Sequence, residues 1–262
     1  FFFQAEDGIR DCSCLVGSEM CIRDSHRFDE SKYPSTNIQL DVFREQLDII
    51  EKENIKFIHP KDFSESLTQN KKQRKILFTV DDGLLSFYEN AWPILKARRI
   101  PFILFVNTRE VGSFNYMNWD QIRELLENGV TIGSQTKSHP HMHRLSPIKV
   151  EQEITLSNSR FLQEIGQYPQ LFAYPYGEYS LNVIKAVKDA GFIAAFGQNS
   201  GVLFASDNMF ELPRFAFNEK ISEKLGLSNK QIVIGYIYIG TPKGKKKSLP
   251  KMNTEEYISV WD

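Results

Sequence analysis

Three short stretches hold residues whose types and spacing can do chemistry. TVDDG (79–83) sets two adjacent carboxylates, Asp81 and Asp82, at the end of an apolar run. QTKSHPHMH (135–143) holds three of the chain's five histidines: His139, His141 and His143. FAYPYGEYS (172–180) contains a Pro175-Tyr176-Gly177 turn. Adjacent side chains on a strand point to opposite sides. Where the backbone turns at the strand end, both carboxylates can reach one pocket with different duties. One can hold a divalent cation and the other can take a proton from water. The competing reading is that Asp81 and Asp82 only cap the following helix. Imidazole suits transition metals, so three histidines at a strand exit favour a site over a solvated loop. His139 and His143 are four apart and share a face only if a helix begins near Pro140.

These stretches sit at the ends of regular elements. KILFTV (75–80) is a compact apolar run stopped by Asp-Asp-Gly, and it reads as a buried strand. FILFV (102–106), VTIGS (130–134) and FIAAF (192–196) read as further strands, and LFAYPYG (171–177) as a strand leading into a turn. Helical spacing is predicted over 40–54, 86–98, 119–129, from Ser146-Pro147 to about Gly166, and over 180–191. Strands alternating with helices predict a parallel α/β fold, either an open doubly wound sheet or a barrel. The carboxylates and the histidines then lie at strand C-terminal ends, where sites of such folds assemble. Trp119, Tyr174 and His59 read as structural residues.

The chain has 262 residues, 41% hydrophobic and 25% charged, enough for a substantial core. Its net charge of −1 gives no general attraction for nucleic acid or an anionic membrane. The basic run KGKKK (243–247) is local and reads as a solvated tail. No apolar run is long enough to span a membrane. All three cysteines (Cys12, Cys14, Cys21) fall in the first 25 residues, so the main body has no disulfide framework.

Taken together, the motifs resemble the polysaccharide deacetylases of the NodB-homology group, carbohydrate esterase family 4. TVDDG is similar to that family's T-F-D-D-G motif. GSQTKSHPHMHRLS (133–146) is similar to its H-S/T-x-x-H motif, and FAYPYGEYS to its R-x-P-Y-G motif. The resemblance spans 26–219 and implies a distorted (β/α) barrel. It implies a divalent metal, commonly zinc, and an N-acetylated glycan as substrate. By the resemblance Asp81 is the general base, Asp82 and His139 are metal ligands, and Tyr176, Pro175 and Gly177 line the substrate groove. Tyr176 also offers its backbone N–H to an oxyanion. The opening HRFDESKYPS (26–35) resembles a circularly permuted branch that includes poly-β-1,6-N-acetylglucosamine deacetylases, with the acid histidine at the start. His26 takes that position. The branch also tolerates loss of the third motif's arginine, where this chain has Ala173. In ELPRFAF (211–217), Arg214 either orients a catalytic Asp or forms a structural ion pair. Export or a cell-envelope location follows from the resemblance alone, and the oligomeric state is left open.

Gln135 stands where the family has its first metal-binding histidine. Three outcomes are open: Gln135 ligates weakly or through water, His143 or His141 supplies the missing nitrogen, or the site holds no metal. In the last case the protein is a non-catalytic carbohydrate-binding relative. Residues 1–25 resemble translated sequencing-adapter read-through and are expected to be a disordered leader outside the fold. Residues 220–262 resemble a nitroreductase-family C-terminus, including a strand at 231–239, and the remote reading is a flavin-dependent protein. The expected organisation is therefore a leader (1–25), a deacetylase-like domain (26–219) and an appended fragment (220–262).

Overall fold

The structure is a computed structural model and describes residues 20–30, 32, 36–68, 75–199, 203 and 207–216. The elements run in the order β1 (Met20–Ser25), β2 (Arg27–Phe28), β3 (Asn37–Ile38), α1 (Leu40–Lys52), β4 (Lys56–Phe57) and α2 (Phe63–Thr68). Then come β5 (Lys75–Val80), α3 (Trp92–Arg98), β6 (Phe102–Val106), α4 (Trp119–Glu127), β7 (Thr131–Ser134) and α5 (Pro147–Ile165). The described part ends with β8 (Leu171–Ala173), α6 (Leu181–Asp189), β9 (Ala194–Phe196) and β10 (Phe215–Ala216).

The main sheet is parallel, in the order β10-β1-β5-β6-β7-β8-β9, with β4 also on β5. Its two edges meet in one segment. Leu212 pairs with Phe196 on β9, and two residues later β10 pairs with β1. Leu212 N donates to Ala195 O, Gly197 N to Leu212 O, and Arg214 N to Asn199 O. The sheet thus curls into the distorted barrel that the resemblance implies.

Strand alternation sorts the side chains. Leu77, Ile103, Phe105, Leu171, Ala173, Ala194 and Phe196 form one buried cluster with Leu212. The intervening Ile76, Phe78, Val80, Phe102, Leu104 and Val106 pack with residues of α1, α3 and α4. Phe172 and Ala195 pack with α5 and α6. Strands covered on both faces explain the continuous apolar runs.

The strand-into-turn expected over 171–177 is a strand at Leu171–Ala173 followed by a 3₁₀ turn at Pro175–Gly177, in which Tyr176 takes a φ of 57°. The helix expected over 86–98 opens as a π turn, Phe87–Ala91, before α3. Met20–Ser25, expected outside the fold, is hydrogen-bonded between β5 and β10 in the sheet, so the disordered leader does not extend to residue 25. A strand opening at His26 would leave that position between β5 and β10 empty. Residues 1–19 and 217–262, with the 231–239 strand and the nitroreductase-like segment, lie outside the described residues. Among the described residues no helix is long and apolar enough to cross a membrane. Trp119 and Tyr174 are buried, and His59 Nδ1 accepts from Lys61 N at the start of a 3₁₀ turn, so all three are placed as structural residues.

Gly133 on β7 shows how closely the barrel is packed. A Cβ there would lie 2.4 Å from the ring atoms of buried Phe105. Phe105 packs on Phe196 (centroids 5.2 Å) and under the Arg214 guanidinium. Gly133→Ala is expected to cost about 1–3 kcal/mol by overpacking, read from urea denaturation. Phe105→Leu in the same chain should recover part of the loss.

Candidate active site

Asp81 follows Leu77 and Thr79 on the inward side of β5 and is fully buried. Its backbone N donates to Ser25 O, which carries the β5–β1 ladder one residue past the strand. Arg214 meets it with two 2.8 Å bonds, Nη1 to Oδ1 and Nη2 to Oδ2. The same guanidinium donates from Nε to Gly197 O (2.7 Å) and from Nη1 to Thr79 Oγ1 (3.3 Å). Burial pushes the Asp81 carboxyl upward. Arg214 opposes it by charge and hydrogen bonds, His26 and His139 add to that, and the group ends below the usual carboxylate range. His26 Nε2 lies 3.9 Å from Asp81 Oδ2, at the C-terminal end of β1.

Asp82 turns away from this pair. Its φ is 72°, so its side chain leaves the barrel interior for the groove. Its Oδ1 lies 3.7 Å from His139 Nε2, and both side chains are about one-fifth exposed. The two carboxylates therefore have separate environments, one locked to a cation inside and one beside an imidazole at the surface.

The loop after β7 is held in shape for His139. Thr136 and His139 both have positive φ, at 69° and 54°. Thr136 Oγ1 accepts from His139 N, and Glu153 of α5 accepts from both Ser138 N and Ser138 Oγ. Gln135 is buried, and its Oε1 accepts from Asp82 N at 3.1 Å. The side chain at the missing-histidine position thus serves the Asp82 backbone.

No helix begins near Pro140; a 3₁₀ turn at Met142–Arg144 precedes α5. His139 and His143 consequently share no helical face. His141 and His143 turn to Glu178, and Tyr176 contacts His139 (4.6 Å) and stacks on His141 (4.0 Å). Neither imidazole is brought to Asp82 and His139 in this arrangement. Pro175 is buried, and Gly177 has a φ of 66°. A Cβ on Gly177 would meet Gln198 at 2.5 Å, so glycine alone fits this turn.

Three residues at the site went unread in the sequence. Glu178 directly follows the Pro-Tyr-Gly turn. Glu153 lies nearly two turns inside α5, facing back to the histidine loop. Tyr116 arrives on a loop whose backbone bonds to the residues after Asp82, with Met117 N donating to Gly83 O. Its hydroxyl is raised by burial first and by Asp82 second. A surface cavity of about 440 Å³, lined by residues including Asp29, Asp41 and Arg44, holds none of the site residues.

Asp82 and His139 fit a divalent cation. A metal bonded at about 2.0–2.2 Å to carboxylate oxygen and imidazole nitrogen needs their atoms only slightly closer than they stand. Gln135 Oε1 keeps one lone pair beyond its bond to Asp82 N.

The Arg214–Asp81 pair yields a signed prediction. A carboxyl depressed in the folded state adds stability above its unfolded pKa, and that stability is lost as pH falls through the folded value. Arg214→Gln leaves the carboxylate buried without its cation, which costs roughly 3–5 kcal/mol, measured by denaturation at neutral pH. Any remaining activity should have its acid limb moved to higher pH. An unmoved limb would mean that Arg214 does not set the charge of Asp81.

Residues 68–195 match the family model described as polysaccharide deacetylase. The poly-beta-1,6-N-acetyl-D-glucosamine N-deacetylase of Staphylococcus aureus (strain MRSA252) is 27% identical over 198 residues, 70% of this chain and 68% of that protein. YxkH of Bacillus subtilis (strain 168), named for the same family, is 28% identical over 157 residues, and the chain spans 56% of its length. The structure of IcaB from Ammonifex degensii superposes with a TM-score of 0.70 at 25% identity, over 78% of this chain and 93% of that one. The Streptococcus pyogenes deacetylase PplD shares the fold, with a TM-score of 0.71 at 22% identity over 79% of this chain and 95% of that one. Residues 68–195 are thus similar to the polysaccharide deacetylase family, and the curled parallel sheet is the fold of the IcaB and PplD structures.

Proposed function

We propose that this protein removes acetyl groups from N-acetylated amino sugars of a polysaccharide or surface glycan, with a divalent metal, zinc by preference, at Asp82 and His139. The carrying observation is the division of labour at one strand end. Asp81 is held ionised by Arg214, while Asp82 is turned outward beside His139. The similarity to the Staphylococcus aureus enzyme points to β-1,6-linked N-acetylglucosamine as the first substrate to try.

In this reading, water attacks the acetyl carbonyl carbon and the C–N bond breaks, giving acetate and a free amine. A cation at Asp82 and His139 would polarise the carbonyl and make the water more acidic. Asp81 accepts the water's proton with a carboxylate that Arg214 orients. In the same reading His26 returns a proton to the leaving nitrogen, which its 3.9 Å distance from Asp81 Oδ2 supports. Tyr176 is half exposed at the groove wall and is the surface on which a sugar ring would pack. Its backbone N–H would hold the oxygen on which charge develops.

One observation favours a second reading. Gln135 is committed to the Asp82 backbone, which leaves two strong metal donors where the family pattern has three. A non-catalytic carbohydrate-binding relative would keep this groove without the reaction.

Acetate release from β-1,6-linked N-acetylglucosamine oligomers, with Zn²⁺ supplied and then chelated, separates the two. Activity should require the metal. Asp81→Asn and Asp82→Asn should each lower kcat/KM by about 10²-fold or more, and His26→Ala should act mainly on kcat. Glycan binding with no acetate released under any metal condition would establish the binding-module reading instead.

A further inference from the structure

Of the histidines in the loop after β7, two are unused by the proposed reaction. His141 Nδ1 lies 2.6 Å and His143 Nδ1 3.1 Å from the same atom, Glu178 Oε2. Their ligand atoms all lie within 4.8 Å of one another. Among the described residues, this is the single group of three or more His, Cys, Asp or Glu side chains that converges in this way. Two imidazole nitrogens and one carboxylate oxygen are the donor set that zinc takes in three-ligand sites, where solvent fills the fourth position.

The three side chains are held rather than waving. Met142, between the two histidines, is fully buried and anchors their 3₁₀ turn. His141 stacks on Tyr176 with the rings 15° apart. Glu178 N donates to Pro175 O, which fixes Glu178 to the turn that carries Tyr176. The histidines lie two residues apart on either side of the anchor, and both rings remain about one-third or more exposed, so an ion can enter from solvent.

We infer that His141, His143 and Glu178 form a second cation site at the rim of the groove, selective for borderline transition metals such as Zn²⁺ or Cu²⁺ and separate from Asp82 and His139. The imidazole-rich set disfavours Mg²⁺ and Ca²⁺, which prefer all-oxygen shells. Tyr176 is the wall shared by the two positions, in contact with His139 on one and His141 on the other. Loading replaces the protons that the imidazoles share with Glu178. It also breaks the bond from exposed Arg144 Nε to His143 Nε2, because an imidazole bound through Nδ1 keeps its proton on Nε2. A cation here would lock the Pro-Tyr-Gly turn to the histidine loop and fix the Tyr176 face.

The test is Zn²⁺ titration of the chelator-stripped full chain against a chromophoric competitor, with Cu²⁺ electron paramagnetic resonance to report nitrogen ligands. Two equivalents are expected. His143→Ala and Glu178→Gln should each weaken one of them by roughly tenfold or more and spare the other. Asp82→Asn should do the converse. Glu178→Gln keeps shape and hydrogen bonding, and unchanged circular dichroism guards against misfolding. One equivalent lost in Asp82→Asn and unaffected by His143→Ala or Glu178→Gln would overturn the rim site and leave the proposed reaction standing. One equivalent weakened by both kinds of variant would mean a single shared site and would overturn it too. Two nitrogens on Cu²⁺, lost in His143→Ala but kept in Asp82→Asn, would support the rim site even if the reaction failed.

Discussion

The candidate site depends on the buried pair between Arg214 and Asp81. Both side chains are sealed from solvent, and the residues stand 133 apart in sequence. Removing each ion from water costs several kcal/mol, and only good geometry with further hydrogen bonds repays it. Here the repayment comes from two parallel 2.8 Å bonds, with additional donations to Gly197 O and Thr79 Oγ1. A lysine could not supply this planar fork. The pair also ties the segment that joins the two sheet edges to the central strand β5. Barrel closure and the charge of Asp81 are thus one event, which explains a buried charge that an apolar core would otherwise exclude.

The second constraint is backbone conformation. Among the described residues, eight non-glycine positions adopt positive φ, and four of them, Asp82, Thr136, His139 and Tyr176, surround the groove. Such conformations cost of the order of 1–3 kcal/mol each and persist where the surroundings impose them. For Asp82 the surroundings are Gln135 below and the Tyr116 loop above, which bonds to Gly83 and Leu85. For His139 they are Thr136 and the Ser138–Glu153 bonds. The effect is to aim side chains from three different strand ends at one groove.

Much of this was legible in the sequence because it depends on local chemistry. The apolar runs of β5 and β6 were read at their true bounds, since a strand buried on both faces has no other pattern. The Asp-Asp-Gly turn reads as a strand end, and the backbone does turn there. Local reading failed where long-range packing decides. LFAYPYG reads as a strand leading into a turn and is one, but the left-handed Tyr176 inside that turn is not written in its spacing. Met20–Ser25 carries no strand period, and only the β-partners on either side draw it into the sheet. Whether Arg214 met Asp81 or another acid was undecidable from spacing, because that contact is made by barrel closure. Glu178 was invisible as a partner of His141 and His143, because the Pro-Tyr-Gly turn alone brings it there.

Gln135 now reads differently from a simple loss. The left-handed turn at Asp82 points a backbone N–H toward the end of β7, and Gln135 Oε1 accepts it. A histidine at this position has two ring nitrogens. If one ligates a metal, the other normally carries a proton and cannot accept from Asp82 N. The amide resolves that conflict by satisfying the turn, at the expense of a strong metal donor. The carboxylate that needs support for its conformation is also the one beside His139. If Asp82 and His139 hold a cation as proposed, Gln135 would withhold one strong donor while steadying the carboxylate beside it, and the affinity of that site would be a balance between the two effects.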